Sequence, residues 1–310
     1  MTTSRKLTIF EGPDGAGKST LAQRFAKVTG ARYVHFSALP RVSTSLGRVY
    51  VEAMMPALLG YQDVVFDRSW LSEVPYGQAF REGSDRLGDP SRAMLDRLAL
   101  RCGGVVVMCD PGWETVRANF LARKHLEMLD DDNQLKIVYD LYKSERVGLP
   151  HLFYDYTMRT GEPLDVDHLV DELDAVRTPC HPLNANTAGN WKAELAIVGQ
   201  DFGEIKDTDA FYQWPFASFS KSGCSQWLTN LMCKSGVRAT DAVWFNSDQD
   251  LSGLQFREVV IALGDVAEKR ICEAGITPTV TIPHPQRWRR FNTNQRYPLF
   301  DALDAYWRHQ

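Results

Sequence analysis

Residues 8 to 20, Thr8-Ile9-Phe10-Glu11-Gly12-Pro13-Asp14-Gly15-Ala16-Gly17-Lys18-Ser19-Thr20, constrain this chain more than any other stretch. Leu7 to Phe10 is a short apolar run fit for a buried parallel strand. Gly12, four residues and Gly17-Lys18-Ser19 then satisfy the pattern G-x-x-x-x-G-K-[ST], and Leu21 to Ala26 follows with helical character. Glycines let backbone N–H groups turn inward around an anion, and the start of a helix adds partial positive charge. Gly12, Asp14, Gly15, Ala16, Gly17, Lys18, Ser19 and Thr20 are therefore the candidate cradle for nucleotide phosphates. Lys18 is suited to the β and γ phosphates and Ser19 to Mg2+, so ATP with Mg2+ is the expected cofactor pair.

The chain has 310 residues, enough for two domains. Its 44% hydrophobic and 24% charged content is that of a globular protein. Charged or polar residues interrupt every apolar run well short of the roughly 20 residues that span a bilayer. Nothing near the start resembles a signal peptide, so a cytoplasmic location and no membrane partner are expected. The six cysteines form no C-x-x-C pair, which points to reduced thiols rather than a zinc or iron–sulfur site. A net charge of −4 argues against an obligate nucleic-acid binder, but residues 281 to 310 carry five Arg and two Asp. That local excess permits a basic surface at the C-terminal end.

Along the first half, strands are expected at 32–36, 63–68, 104–110 and 152–156. Helices are expected from 44 up to Pro56, and over 91–101, 113–123, 134–145 and 165–176. Asp67 and Arg68 fall at the C-terminal end of a strand, the end that faces the ligand crevice in parallel sheets.

Phe10 to Thr20 resembles the opening of thymidylate kinases and related deoxynucleotide kinases. Asp67-Arg68, Ser72 and Tyr76-Gly77 resemble their second signature, and Asp110-Pro111 with Arg117 and Arg123 their strand-then-lid segment. The resemblance covers residues 5 to about 165. It implies that Lys18, Asp67, Arg68 and Arg123 are catalytic, and that Asp67 joins Ser19 near the metal or orients the acceptor. Arg68 would clamp the phosphate or acceptor, Asp14 would lie near the acceptor, and Arg117 would help cover the phosphoryl group. Blander readings remain: a strand-end salt bridge for Asp67-Arg68, a solvated helix face for Arg123, a structural hydrogen-bond partner for Glu11. The family's Arg-Glu-Pro after the second strand is missing; Val34 to Arg41 stands there instead, with Arg41 as the available arginine. A free mononucleotide is therefore not a required acceptor.

Residues 177 to 190, rich in Pro, Asn and Gly, read as a linker between domains at 1–176 and 191–310. Leu195 to Val198 opens the second domain and leads into Gly199-Gln200-Asp201. That segment resembles the first motif of uracil-DNA glycosylases. Pro215-Phe216-Ala217 with Ser222-Gly223, Val243 to Asn246, Glu258 to Ala267, and Ile282 to Gln286 resemble the later segments, in order. The fold expected is thus α/β: two three-layer α/β/α domains, a P-loop nucleotide-kinase-like parallel sheet followed by a uracil-DNA-glycosylase-like fold.

The second resemblance implies a site for a base flipped out of the stack. Asp201 would stabilise an oxocarbenium-like sugar or activate water, Phe202 would join it in binding the DNA or base, Asn246 would read the pyrimidine edge, and His284 would donate to O2. Trp288 would be the wedge, with Arg287, Arg289 and Arg290 on phosphates. The alternatives are a satisfied loop histidine for His284, core packing for Trp288 and Phe291, and a charged turn for the arginines. In the uracil-specific members a Tyr two residues after the Asp excludes thymine; here that residue is Gly203, which leaves room at pyrimidine C5. Gln286 also replaces the usual Ser.

Together the halves resemble the phage 5-hydroxymethyluracil DNA kinases, which would place the chain in the host cytoplasm. The expected partners are a nucleoside triphosphate and DNA containing a C5-modified pyrimidine; the oligomeric state, a homodimer included, is open. Three other readings stand beside this one: a deoxynucleoside monophosphate kinase with an appended glycosylase, a repair glycosylase with a regulatory nucleotide-binding half, and a nucleotide-sensing DNA-binding module.

Overall fold

The computed structural model describes residues 6–37, 46–123, 132–144, 147–158, 166–181, 186–201, 214–216, 223–291 and 294–307. The chain divides into two compact units. The first comprises Met1–Gly88 with Cys102–Thr178, and the second Asp89–Arg101 with Pro179–Gln310.

In the first unit, strands β1 (Leu7–Glu11), β2 (Arg32–His35), β3 (Val64–Asp67), β4 (Val105–Cys109) and β5 (His151–Tyr154) form one sheet ordered β2-β3-β1-β4-β5. Every pairing is parallel. β1, β3 and β4 are buried along their whole length, as central parallel strands are, and the burial includes the polar Thr8, Glu11 and Asp67. Alternate side chains go to opposite faces. Phe10, Val65, Val105 and Val107 pack with Leu21 and Phe25 of α1 (Lys18–Thr29), Phe120 of α5 (Trp113–Arg123), Leu135 of α6 (Asp132–Ser144) and Leu169 of α7 (Val166–Val176). On the other face Phe66 meets Phe36 and Trp70, and Trp70 meets Tyr50 of α2 (Leu46–Leu58). Each large ring so buried contributes roughly 1.5–3 kcal/mol.

Helix α2 does not stop at Pro56 as expected but runs through it to Leu58. The proline lies in the last turn, where its missing N–H forgoes a single bond, and its carbonyl still accepts from Tyr61 N at 2.8 Å.

The second unit is built on β6 (Thr187–Gly189), β7 (Leu195–Gly199), β8 (Ala242–Asn246), β9 (Val259–Leu263) and β10 (Val280–Ile282), ordered β10-β9-β7-β8-β6. All pairings are parallel except that of β6, which runs against β8. One face packs Ile197, Trp244 and Ile261 with Leu228 of α8 (Cys224–Lys234) and Leu303 of α11 (Leu299–Trp307). The other packs Val198, Phe245 and Ala262 with Ala267 and Ile271 of α9 (Asp265–Glu273). No described helix is long and apolar enough to cross a membrane.

Two features depart from the linear reading. The expected linker contains strand β6 and the buried His181, whose Nε2 lies 2.8 Å from Gly189 O. Helix α4 (Asp89–Arg101), expected inside the first domain, belongs to the second unit. Its Arg101 donates to Thr187 O at 2.8 Å, and its last carbonyl accepts from His181 N at 2.9 Å.

Candidate functional site

The phosphate loop leaves the buried end of β1 and enters α1 at Gly17. Gly15 has φ 83°, and a Cβ there would stand 2.4 Å from Val116 O of α5, so a side chain would break both turn and packing. Asn119 of α5 fastens the same turn: its amide donates to Gly15 O and to Tyr156 Oη, each at 2.9 Å. The Tyr156 ring lies against Gly17.

Lys18 is 4% exposed, with Nζ 3.0 Å from Pro13 O and 3.5 Å from Asp14 Oδ1. Burial pushes its pKa down, helped by the charge of Arg68 and opposed by Asp14, Asp67 and Glu11. Phosphate oxygens would relieve that burden, because an ammonium is favoured beside negative charge. Ser19 is half-buried and Thr20 exposed on the first turn of α1. Ala16 is fully buried in the sheet–helix core, so it supports the loop through packing.

Strand pairing brings the second candidate group alongside. Phe10 is paired with Asp67, and His35 with Asp67, so the C-terminal ends of β1, β2 and β3 converge. Asp67 is fully buried, and its Oδ2 takes the Tyr33 hydroxyl at 2.7 Å and His35 Nδ1 at 2.7 Å. Burial alone would raise its pKa. Hydrogen bonding with Tyr33 and Ser19 and the Lys18 and His35 charges overcome this and hold the carboxyl below its ordinary range. Oδ1 is buried without a hydrogen-bond partner among the described residues.

Arg68 adopts φ 72°, a conformation that is costly for a residue with a side chain. Arg68 N donates to Phe10 O at 3.0 Å, its guanidinium is bonded to Asp14, and it sits 4.9 Å over the Tyr76 ring. Asp14 is thereby shared by two cations: burial would raise its pKa, but Lys18 and Arg68 draw it down. The strand-end salt bridge is thus present, and it is made to the phosphate loop itself.

Glu11 is fully buried and accepts from Ser69 Oγ at 2.6 Å, Ser72 Oγ at 2.8 Å and Tyr142 Oη at 2.9 Å. Burial still raises its pKa. Those contacts make it a brace between β1 and the segment after β3. Arg117 pairs with Asp132 at 2.7 Å. Arg123 is exposed at the end of α5; burial raises the pKa of the Tyr156 hydroxyl, and the Arg123 charge opposes that rise only in part. Arg41 lies outside the described residues.

In the second unit, parallel strand ends gather Gly199–Asp201 after β7, Asn246 on β8, Gly264 after β9 and His284 after β10 at one edge of the sheet. Asn246 is 2% exposed, and its Nδ2 has no partner among the described residues. A Cβ at Gly199 would stand 2.6 Å from the Phe216 ring and 3.0 Å from Asn246 Oδ1, so the bare backbone of Gly199 lies against both. His284 lies against Gly264; burial lowers its pKa and the Asp201 charge raises it. Asp201 also accepts from Gln200 Nε2 at 3.1 Å. Phe202 and Gly203 lie outside the described residues.

On α10 (Pro285–Phe291), Arg287, Arg289 and Arg290 are exposed. Trp288 is half-buried against Tyr297, ring centroids 5.8 Å apart, with its indole nitrogen buried. It packs as a core residue, and the exposed aromatic beside the arginines is Phe291, 71% accessible.

No protein-family model matches the chain, and no curated protein matches its sequence. Solved structures do. The YorR protein of Bacillus subtilis, in complex with phosphorylated GDP, is 16% identical over 55% of this chain and 96% of its own, with a TM-score of 0.40. Deoxyadenosine kinase from M. mycoides, with dCMP and dCDP bound, is 14% identical over 55% and 100%, with a TM-score of 0.34. A sugar kinase from Janibacter sp. HTCC2649 is 13% identical over 56% and 95%, with a TM-score of 0.35.

The sequence points to the loop, Asp67-Arg68 and Asn246 through their motifs. It gives no such signal for Tyr33, Asn119 and Tyr156, which carry no motif.

Proposed function

We propose that the first unit transfers the γ-phosphoryl group of ATP, and that the acceptor is the hydroxymethyl oxygen of 5-hydroxymethyluracil in DNA held by the second unit. The observation that carries the reaction class is the cluster of Lys18, Asp14, Arg68 and Asp67 around one glycine loop. Phosphoryl transfer needs positioning and charge stabilisation more than covalent chemistry. The acceptor oxygen bonds to the γ phosphorus as the bridge to the β phosphate breaks and ADP departs. Lys18 and Arg68 offset the negative charge there, and Asp67 positions the acceptor hydroxyl and accepts its proton as the new bond forms.

The residues present fit Mg2+: a hydroxyl beside an ionised carboxylate whose Oδ1 is buried and unbonded among the described residues. Ser19 and Asp67 would hold the ion, and it would neutralise phosphate charge. No cluster of three or more His, Cys, Asp or Glu suited to a metal occurs among the described residues, so phosphate oxygens would complete the shell.

Support for a DNA base as acceptor comes from the second unit. The Asn246 amide nitrogen is a buried donor without a partner among the described residues, a costly state that a pyrimidine carbonyl would relieve. The exposed Arg287, Arg289, Arg290 and Phe291 suit phosphates and a stacked base. The missing Arg-Glu-Pro counts against a free monophosphate, and in the sequence Gly203 stands where the uracil-specific resemblance has a bulky Tyr. Incubating hydroxymethyluracil DNA with ATP, digesting it to nucleosides and weighing them tests the reading. A phosphorylated hydroxymethyl nucleoside supports it; complete recovery of the unmodified nucleoside rejects it.

The same unit favours one second reading, base excision, through Asp201, which follows β7 at the end of the sheet where His284 follows β10. Release of free base, abolished by Asp201→Ala, would establish it; no release would exclude it.

A further inference from the structure

Arg97 of α4 is a buried cation, 3% exposed, with no carboxylate at ion-pair distance among the described residues. Its Nη2 donates to Phe216 O at 3.1 Å and to Thr229 Oγ1 at 2.9 Å, and its guanidinium lies 4.3 Å over the Trp244 ring. A buried guanidinium is expensive even with the Asp96 charge acting on it, and an apolar side chain of similar volume would fill the same space at less cost. What the guanidinium holds is informative. Phe216 sits at φ 57°, a strained conformation for a residue with a side chain, and Arg97 grips its carbonyl. The Phe216 ring, 5.0 Å from Trp244, then lies against Gly199 and beside the Asn246 amide.

We propose that Arg97 is a positioning residue for the second unit's base site, fixing Phe216 beside Asn246 so that a pyrimidine is received between an aromatic face and an amide. This rests on the reading of that edge as a base site. It goes further in assigning the geometry to α4, a segment that the chain inserts between β3 and β4 of the first unit's sheet. The guanidinium is needed because no other group supplies one donor direction to a carbonyl, another to a hydroxyl, and a flat face to an indole.

The test uses the full chain with Arg97→Met, which keeps the aliphatic stem, and Arg97→Lys, which keeps the charge but not the fork. Phe216→Leu leaves Arg97 in place and serves as the fold-preserving comparison. Two readouts are needed. Hydrogen exchange over residues 214–216 reports the held backbone. Binding of single-stranded oligonucleotides with one hydroxymethyluracil or one thymine reports the base site. Arg97→Met is expected to speed exchange at 214–216 while β7 and β8 keep their protection. It should also weaken binding of both oligonucleotides by roughly tenfold, the scale of one lost stacking contact, as Phe216→Leu does. Arg97→Lys should fall between, and stands in if Arg97→Met does not fold. Unchanged exchange at 214–216 in the folded variant overturns the proposal. If exchange rises but wild type and Asn246→Ala bind both oligonucleotides equally, Arg97 holds Phe216 as argued and the base-site reading is what fails.

Discussion

The His35 ring and the Asp67 carboxylate meet at 2.7 Å, on paired positions of β2 and β3. The Tyr33 hydroxyl takes the same oxygen, so the carboxylate is pinned through Oδ2 while Oδ1 is buried without a partner among the described residues. Asp67→Asn keeps this shape and removes the charge. Phosphoryl transfer is expected to fall by about 10²–10³-fold, the range seen when one preorganised electrostatic group is lost. The variant should still fold and bind ATP. Single-turnover transfer measures this, and a rate near wild type would contradict the role.

Lys18 separates nucleotide binding from folding. ATP at about one hundred times its Kd stabilises the folded state by about 2.7 kcal/mol, which appears as a raised thermal midpoint. Lys18→Ala is expected to abolish that rise. A full ATP-induced shift in the variant would show that the loop does not bind the phosphates through this side chain.

Acid stability carries a signature of Asp14. Unfolded, it protonates near its ordinary value of 3.8; folded, beside Lys18 and Arg68, it protonates only at lower pH. The stability it supplies is therefore complete above the ordinary value and is lost as pH falls through the lowered one. Urea unfolding between about pH 6 and pH 3 should show a steeper loss for wild type than for Asp14→Asn. Equal slopes would mean that the carboxylate is not held down.

Helix α4 yields a prediction about folding. Arg97 and Arg101 satisfy Phe216 O, Thr229, Thr187 O and the backbone of His181. A fragment of residues 179–310 lacks them and leaves buried acceptors bare, at roughly 1–3 kcal/mol each. It is expected to bind hydrophobic dye and unfold without cooperativity, and added peptide 89–101 should restore a cooperative transition. A fragment that melts cooperatively alone would show that α4 is dispensable.

The parts of the fold legible in the sequence were those with local signals. The loop announced itself through Gly12, Gly17 and Lys18, and β4 through its run of valines. Asp67-Arg68 was visible because a polar pair ends an apolar strand. What was hidden was set by packing between distant segments. Nothing local to residues 89–101 says that this helix leaves the first sheet, since its amphipathic pattern fits either core. Thr187–Gly189 resembles a linker because its hydrogen bonds come from β8, more than fifty residues on. Trp288 beside arginines resembles a DNA wedge until Tyr297 is found against it.

The most direct test of the central claim offers γ-labelled ATP to hydroxymethyluracil DNA, thymine DNA and free dTMP in parallel, with Lys18→Ala as control. The account expects label in hydroxymethyluracil DNA alone, and none with Lys18→Ala. Label in dTMP with none in the DNA would contradict it.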